Sequence, residues 1–129
     1  MEILVPISHG ELYDKLTILQ IKQEKITDSE KLKNIEKELE ELSMILNKVW
    51  NKDGFDNVMF VHIKDINEKL WDIEDKIRIK EKNKLYDEEF IELARSVYFW
   101  NDKRAKVKKE INLKYGSNII EEKQYEKYD

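Results

Sequence analysis

A chain of 129 residues has the size of one ordinary domain, long enough for a single core and too short for two. Charged residues make up 40% of it, against roughly 25% in average proteins, and with only three Gly and one Pro the composition favours long solvated helices over strands and tight turns. The net charge of −4 supplies no global field to draw the chain onto nucleic acid or an acidic membrane, and the lack of cysteine excludes disulfides, thiolate zinc sites and a cysteine nucleophile.

Residues 1–7, beginning "MEILVP", read as a short extended arm; they lack the basic and apolar regions of a secretion signal, and no apolar run approaches a membrane span, so the expected location is cytoplasmic. Ser8 followed three residues later by Glu11 matches a capping box, in which the serine oxygen accepts from the backbone N–H of the glutamate and the glutamate reaches back. Behind it Leu12, Leu16, Leu19, Gln23 and Ile26 recur at the spacing of one helical face, which predicts a first helix near residues 9–26. "TDSE" at 27–30 repeats the capping logic, and Leu32, Ile35, Leu39, Leu42, Leu46 and Val49 form the clearest periodic face in the chain. The short connection predicts an antiparallel hairpin.

"NKDGFDN" at 51–57 is the glycine-centred break that separates this hairpin from a second one. Ile63, Ile66, Leu70, Ile73 and Ile77 predict a third helix near 58–82. After a turn with Asp87 as N-cap, a fourth helix is expected near 88–114, its apolar face made of Phe90, Leu93, Ala94, Val97, Trp100, Val107 and Ile111. Gly116 suits the left-handed conformation that closes helix C-termini, and residues 118–129 read as a tail or a short docked helix. The expected fold is therefore all-α: a single domain over residues 1–129, an antiparallel bundle of about four long helices. Trp50, Phe55, Met59, Phe60 and Val61 gather around the middle loop, where they either seal one end of the bundle or offer an apolar patch to a partner chain.

Beside the core face of the third helix runs a second stripe: Asn67, Trp71, Glu74, Arg78 and Glu81. Tyr98, Asn101, Arg104, Lys108 and Asn112 make a comparable ladder on the fourth, with Arg95 one turn earlier. If the two helices are antiparallel neighbours, the ladders face across a groove with aromatic plates for stacking, amides for hydrogen bonds, and Arg78, Arg104 and Lys108 for anions. Arg suits bidentate phosphate contacts and Lys acts as a point charge. The plainer alternative is that Glu74 and Arg78 form an i,i+4 pair, Trp71 belongs to the core and the rest are solvated.

Residues 100–114 carry Lys103, Arg104, Lys106, Lys108, Lys109 and Lys114 against Asp102 and Glu110, a local surplus of four positive charges. No aromatics interleave with them, and cations near a helix C-terminus also complement its dipole, so nucleic acid is the less favoured partner. Glu11 with Asp14, Asp72 with Asp75 and Glu38 with Glu41 are spaced acid pairs of the kind that helical magnesium-dependent nucleotide hydrolases use, although such pairs also arise by chance in a chain with 28 acids. His9 and His62 do not form a helical zinc motif, and neither a nucleophile elbow nor a phosphate-cradling glycine loop is present.

"PISHGELYDKLTIL", "LWDIEDKIR", "FIELARSVYFWNDKRAKVKKEIN" and "GSNIIEEKQY" together resemble a small uncharacterised family, a domain of unknown function met in bacteria and in phages. The resemblance covers nearly the whole chain. Bacterial proteins similar to it occur near cell-surface polysaccharide and glycosyltransferase genes, and the resemblance implies no particular activity. The segments that carry it contain both polar ladders together with Glu11, Asp14 and Lys15.

The function expected from these features is a binding module for a phosphorylated small molecule: a nucleotide, a signalling nucleotide or a nucleotide-sugar. The expected ligand-binding residues are Lys15, Lys22, Asn67, Trp71, Glu74, Arg78, Tyr98, Asn101, Arg104 and Lys108, with no cofactor, no membrane partner and a homo-oligomeric assembly. In a phage such a pocket would sequester a host signalling nucleotide. Two alternatives are a divalent-metal nucleotide hydrolase using Glu11, Asp14, Glu74 and Asp75, and an accessory interaction protein of cell-surface polysaccharide synthesis.

Overall fold

The computed structural model describes residues 1–128 as four helices with no strand among them: α1 (His9–Lys25), α2 (Ser29–Asp53), α3 (Asn57–Lys82) and α4 (Glu88–Lys114). Each helix starts on an oxygen-bearing cap. Ser8, Asp28, Asp56 and Asp87 accept from the backbone N–H three residues ahead, a contribution of about 1 kcal/mol per helix. The capping box at Ser8 is half made. The Glu11 N–H donates to Ser8 Oγ at 3.1 Å, while the Glu11 carboxylate turns instead to Lys108, whose charge outcompetes a backbone amide.

The helices alternate in direction, yet they do not form a symmetric four-membered ring. α1 packs against α2, α3 and α4, whereas α2 approaches only α1. The arrangement is a three-helix core of α1, α3 and α4 with α2 laid along the outer side of α1. Burial follows from this placement. Leu12, Tyr13, Asp14, Leu16, Thr17, Leu19 and Ile21 are all buried and point around most of the circumference of α1. In α2 only Ile35 is buried, and the regular stripe of Leu39, Leu42, Leu46 and Val49 is half-buried against the common core.

That core joins Leu12, Tyr13 and Leu16 of α1 to Phe60, Ile63, Ile66 and Leu70 of α3 and Val107 and Ile111 of α4. At about 1.5 Å per residue, α1 with 17 residues is much shorter than α3 and α4 with 26 and 27. Beyond Leu70 the long pair continues as a two-helix hairpin. The expected apolar faces are accordingly only half-buried at Ile73, Ile77, Phe90, Leu93, Val97 and Trp100, and Ala94 is exposed. Gln23, placed on the inner face of the first helix by its spacing, is also exposed, because the apolar side of α1 gives way to solvent in its last turn.

The cluster around the middle loop closes one end of the bundle. Trp50 stacks on Phe55 with ring centroids 4.7 Å apart, and Phe55 and Phe60 both touch the Tyr13 ring. Tyr13 lends its hydroxyl oxygen to the Asp56 N–H at 3.2 Å, and burial, with the hydrogen bond to Tyr115, pushes the phenol well above its ordinary pKa. After α4, residues 118–128 take no regular secondary structure and run back along that helix. Glu122 meets Lys109 at 3.0 Å, and Tyr128 lies edge-on to Tyr98 at 4.7 Å. Of the expected tail, Asp129 falls outside the described residues.

α1 and α4 are closest at Gly10. Its N–H donates to Asn112 Oδ1 at 2.6 Å, and a Cβ there would lie 2.5 Å from the Lys108 carbonyl oxygen and 2.9 Å from Asn112 Oδ1. Because the nearer obstacle is helix backbone, the crossing must open to admit even a methyl group. Gly10→Ala is expected to lower unfolding free energy by roughly 1–3 kcal/mol, despite the better helix propensity of Ala, measured as a lower urea midpoint at unchanged m-value. Two helix ends show the opposite sign. Both α3 and α4 finish in Schellman motifs, with Leu85 N–H bonded to Lys80 O and Ser117 N–H to Asn112 O. Gly116 occupies the left-handed position of the second motif, but Lys84, at φ 53°, occupies that of the first. Lys84→Gly is expected to raise the melting temperature, a gain of about 1 kcal/mol.

Candidate functional site

The central position of α1 forces polar groups into the interior, and one connected set of hydrogen bonds satisfies them. Thr17 Oγ1 donates back to the Asp14 carbonyl at 2.8 Å. From α3, Asn67 Nδ2 donates both to Asp14 Oδ1 at 2.9 Å and to Thr17 Oγ1 at 3.0 Å. The Asn67 oxygen accepts from Arg104 Nη1 of α4 at 3.1 Å, and Arg104 Nη2 donates to Asn101 Oδ1 at 2.7 Å. One asparagine thus ties all three core helices together, with both amide hydrogens donated and the oxygen accepting one bond.

Lys108, one turn after Arg104, faces the other side of Asp14. Its ammonium lies 2.7 Å from Glu11, 3.7 Å from Asp14 and 3.5 Å from Glu121 of the tail. Burial disfavours the charge on Glu11, but the hydrogen bond and the field of Lys108 outweigh it and hold the carboxyl below its ordinary value. Burial likewise works against the Lys108 cation, and Glu11, Asp14 and Glu121 together push its pKa up.

Beside the Asn67 to Arg104 link lies a groove of about 520 Å³. Ile18 and Ile21 come from α1, Asn67, Leu70, Trp71, Glu74, Asp75 and Arg78 from α3, and Asn101 and Arg104 from α4. Of the ten residues expected to bind a ligand, the structure brings six together here: Asn67, Trp71, Glu74, Arg78, Asn101 and Arg104. Trp71 is half-buried along the wall. Arg78 stands at the rim, its side chain 77% exposed, paired loosely with Glu74 at 3.6 Å in the i,i+4 relation that the plainer reading anticipated.

The other four lie elsewhere. Tyr98 faces a separate hollow between α4 and the tail. Lys15 is exposed and 3.7 Å from Glu11, Lys108 is enclosed by carboxylates, and Lys22 sits half-exposed on α1 away from the groove lining. Asp14, which the spacing left without a structural assignment, is a buried hydrogen-bond acceptor. The basic strip of α4 is half neutralised: Lys108, Lys109 and Lys114 pair with Glu11, Glu122 and Asp56, whereas Lys103 lies over the Phe99 and Trp100 rings and keeps its charge.

The four acids of the metal-hydrolase alternative do not share a site. Glu11 and Asp14 look toward Lys108, whereas Glu74 and Asp75 line the groove, and among the described residues no three His, Asp or Glu side chains are grouped to hold a metal ion. His9 stacks on Tyr115 with centroids 5.1 Å apart, and its Nε2 is 3.7 Å from Asp53. His62 is exposed on α3. No helix among the described residues is long and apolar enough to cross a membrane.

Sequence reasoning missed Thr17 and the apolar floor of Ile18, Ile21 and Leu70. A signal for Thr17 existed in its position three residues after Asp14 and among the apolar Leu16, Ile18 and Leu19, where a hydroxyl needs a partner. The contribution of Glu121 had no local signal, since it depends on the tail reversing direction.

A model for a family of unknown function, DUF6165, matches residues 3–128, and the chain belongs to that family. No curated protein and no solved structure matches it.

The Glu11–Lys108 pair makes stability depend on pH in a defined direction. Because the folded-state pKa of Glu11 is depressed, its contribution is complete above the unfolded-state value and is lost as pH falls through the folded value. Glu11→Gln is therefore expected to reduce stability near neutrality and to flatten the acid limb of the melting-temperature profile relative to the unmodified chain. Parallel acid limbs in the two proteins would show that the pair contributes nothing.

Proposed function

We propose that this member of a family of unknown function is a binding module for a phosphorylated small molecule, held in the α1–α3–α4 groove. The observation that supports this reading is the state of Arg104. Lys108, Lys109 and Lys114 on the same helix each meet a carboxylate, but among the described residues Arg104 meets only the neutral amides of Asn67 and Asn101. Its guanidinium is half-buried and oriented by two hydrogen bonds. A guanidinium carries five N–H donors in a planar fork, so most remain for a ligand, and a phosphate matches that geometry.

The rest of the groove suits the remainder of such a molecule. Trp71 supplies a flat face for a base or sugar ring, backed by Ile18, Ile21 and Leu70. Glu74 and Asp75 can accept hydrogen bonds from sugar hydroxyls, and Arg78 at the rim can swing from Glu74 to a second anionic oxygen. Binding requires no covalent chemistry and no cofactor. Arg104 is prepared before the ligand arrives, which lowers the ordering cost of association.

Native mass spectrometry of gently purified protein, followed by denaturing extraction, tests the reading and reports oligomeric state in the same spectrum. A retained phosphorylated compound is expected. Arg104→Ala should weaken its binding by roughly ten- to a hundredfold, the range for a hydrogen bond to a charged group, with helicity unchanged; Arg78→Ala should have the smaller effect, because Arg78 is exposed and already paired. Equal affinity of Arg104→Ala and the unmodified protein would overturn the site assignment.

A further inference from the structure

The hollow between α4 and the C-terminal tail has no role in the reading above, yet it adjoins the groove. Its volume is about 600 Å³, comparable to the 520 Å³ of the groove. Asn101 and Arg104 line both spaces. Arg104, the residue proposed to hold the phosphate, therefore borders two hollows, each large enough for a ring system.

The second compartment has its own recognition groups. Tyr98 of α4 and Tyr125 of the tail offer aromatic faces, and Lys123 adds a cation on the tail side. The acids Asp102 and Glu126 also line it, so its charge is balanced overall, and Arg104, the one cation common to both linings, favours an anion in the middle of a ligand. The tail is held in place through Glu121 and Glu122, which meet Lys108 and Lys109. These contacts explain why an extended segment without secondary structure keeps Lys123 and Tyr125 opposite α4.

We infer that residues 123–128 and α4 form a second subsite for the same ligand, so that the molecule bound is two-ended: a nucleoside and a second ring joined by a diphosphate bridge, with the bridge at Arg104. The inference rests on the proposed binding function and assigns the tail to the site. The second ring is a sugar or another nucleoside, and the shared chemistry is a diphosphate diester.

Isothermal titration calorimetry on the full chain distinguishes the cases. The probes are ADP, UDP and GDP, compared with ADP-glucose, UDP-glucose, GDP-mannose and diadenosine diphosphate. At least one conjugate is expected to bind tenfold or more tightly than its parent diphosphate, the hexose and dinucleoside arms identifying the second ring. Lys123→Ala/Tyr125→Ala, which also removes the 3.5 Å Lys123–Glu121 pair but leaves the Glu121–Lys108 and Glu122–Lys109 pairs that hold the tail, should abolish that increment while leaving affinity for the parent diphosphate unchanged. If conjugates and parents bind alike, or if the increment survives in the double variant, the second subsite is overturned and the binding module stands. If no probe binds, both readings fall.

Discussion

Asn67 is the joint on which the molecule depends. Its amide nitrogen satisfies Asp14 and Thr17 in the interior of α1, and its oxygen orients Arg104 on α4. A helix enclosed on most sides by other helices cannot send every polar side chain to water, and an unpartnered buried group costs about 1–3 kcal/mol. The same asparagine that removes this cost also sets the position of the guanidinium in the groove. Fold and candidate site thus share one residue.

Two neighbouring cations on α4 illustrate how surroundings pair one charge and leave another without a carboxylate partner among the described residues. Lys108 is surrounded by Glu11, Asp14 and Glu121, and its charge is used in holding α1, α4 and the tail together. Arg104, one turn away, is oriented by amides that leave its charge uncompensated. A lysine concentrates its charge at one point, which three carboxylates can approach from different sides. A guanidinium presents a planar fork, which two side-chain carbonyls can fix while its other donors stay open.

The unequal helix lengths give the molecule a packed half and an open half. Where α1 is present, Gly10 lets it approach α4 closely and the core is continuous. Where α1 ends, α3 and α4 diverge from a shared core into a hairpin whose inner face is only half-covered, and the groove opens at that transition. Trp71, Glu74 and Arg78 lie along α3 at this level, so the groove combines a rigid floor with a solvent-facing rim.

Local rules written in the sequence were sufficient for the helices, the caps Ser8 and Asp87 and the hairpin pairing, because capping and 3.6-residue periodicity act within a few residues of each other. Asp87 caps α4 and Gly116 takes the left-handed position, but of the two ladders only Asn67, Trp71, Glu74 and Arg78 of α3 and Asn101 and Arg104 of α4 line one groove, while Tyr98, Lys108 and Asn112 lie elsewhere. Long-range choices lay beyond such rules. The strongest periodic stripe belongs to α2, yet α1, with the less regular pattern, became the central helix, because burial on several sides erases the contrast between faces that periodicity measures. Lys108 reads as a ligand contact and Asp14 as half of a spaced acid pair with Glu11, whereas the tertiary structure brings both together with Glu121 across a span of more than a hundred residues. The residue types available for a candidate site were determined by the sequence; which charges were paired within the fold and which were left without a carboxylate partner was decided by packing, since an ion pair depends on distance in space rather than distance along the chain.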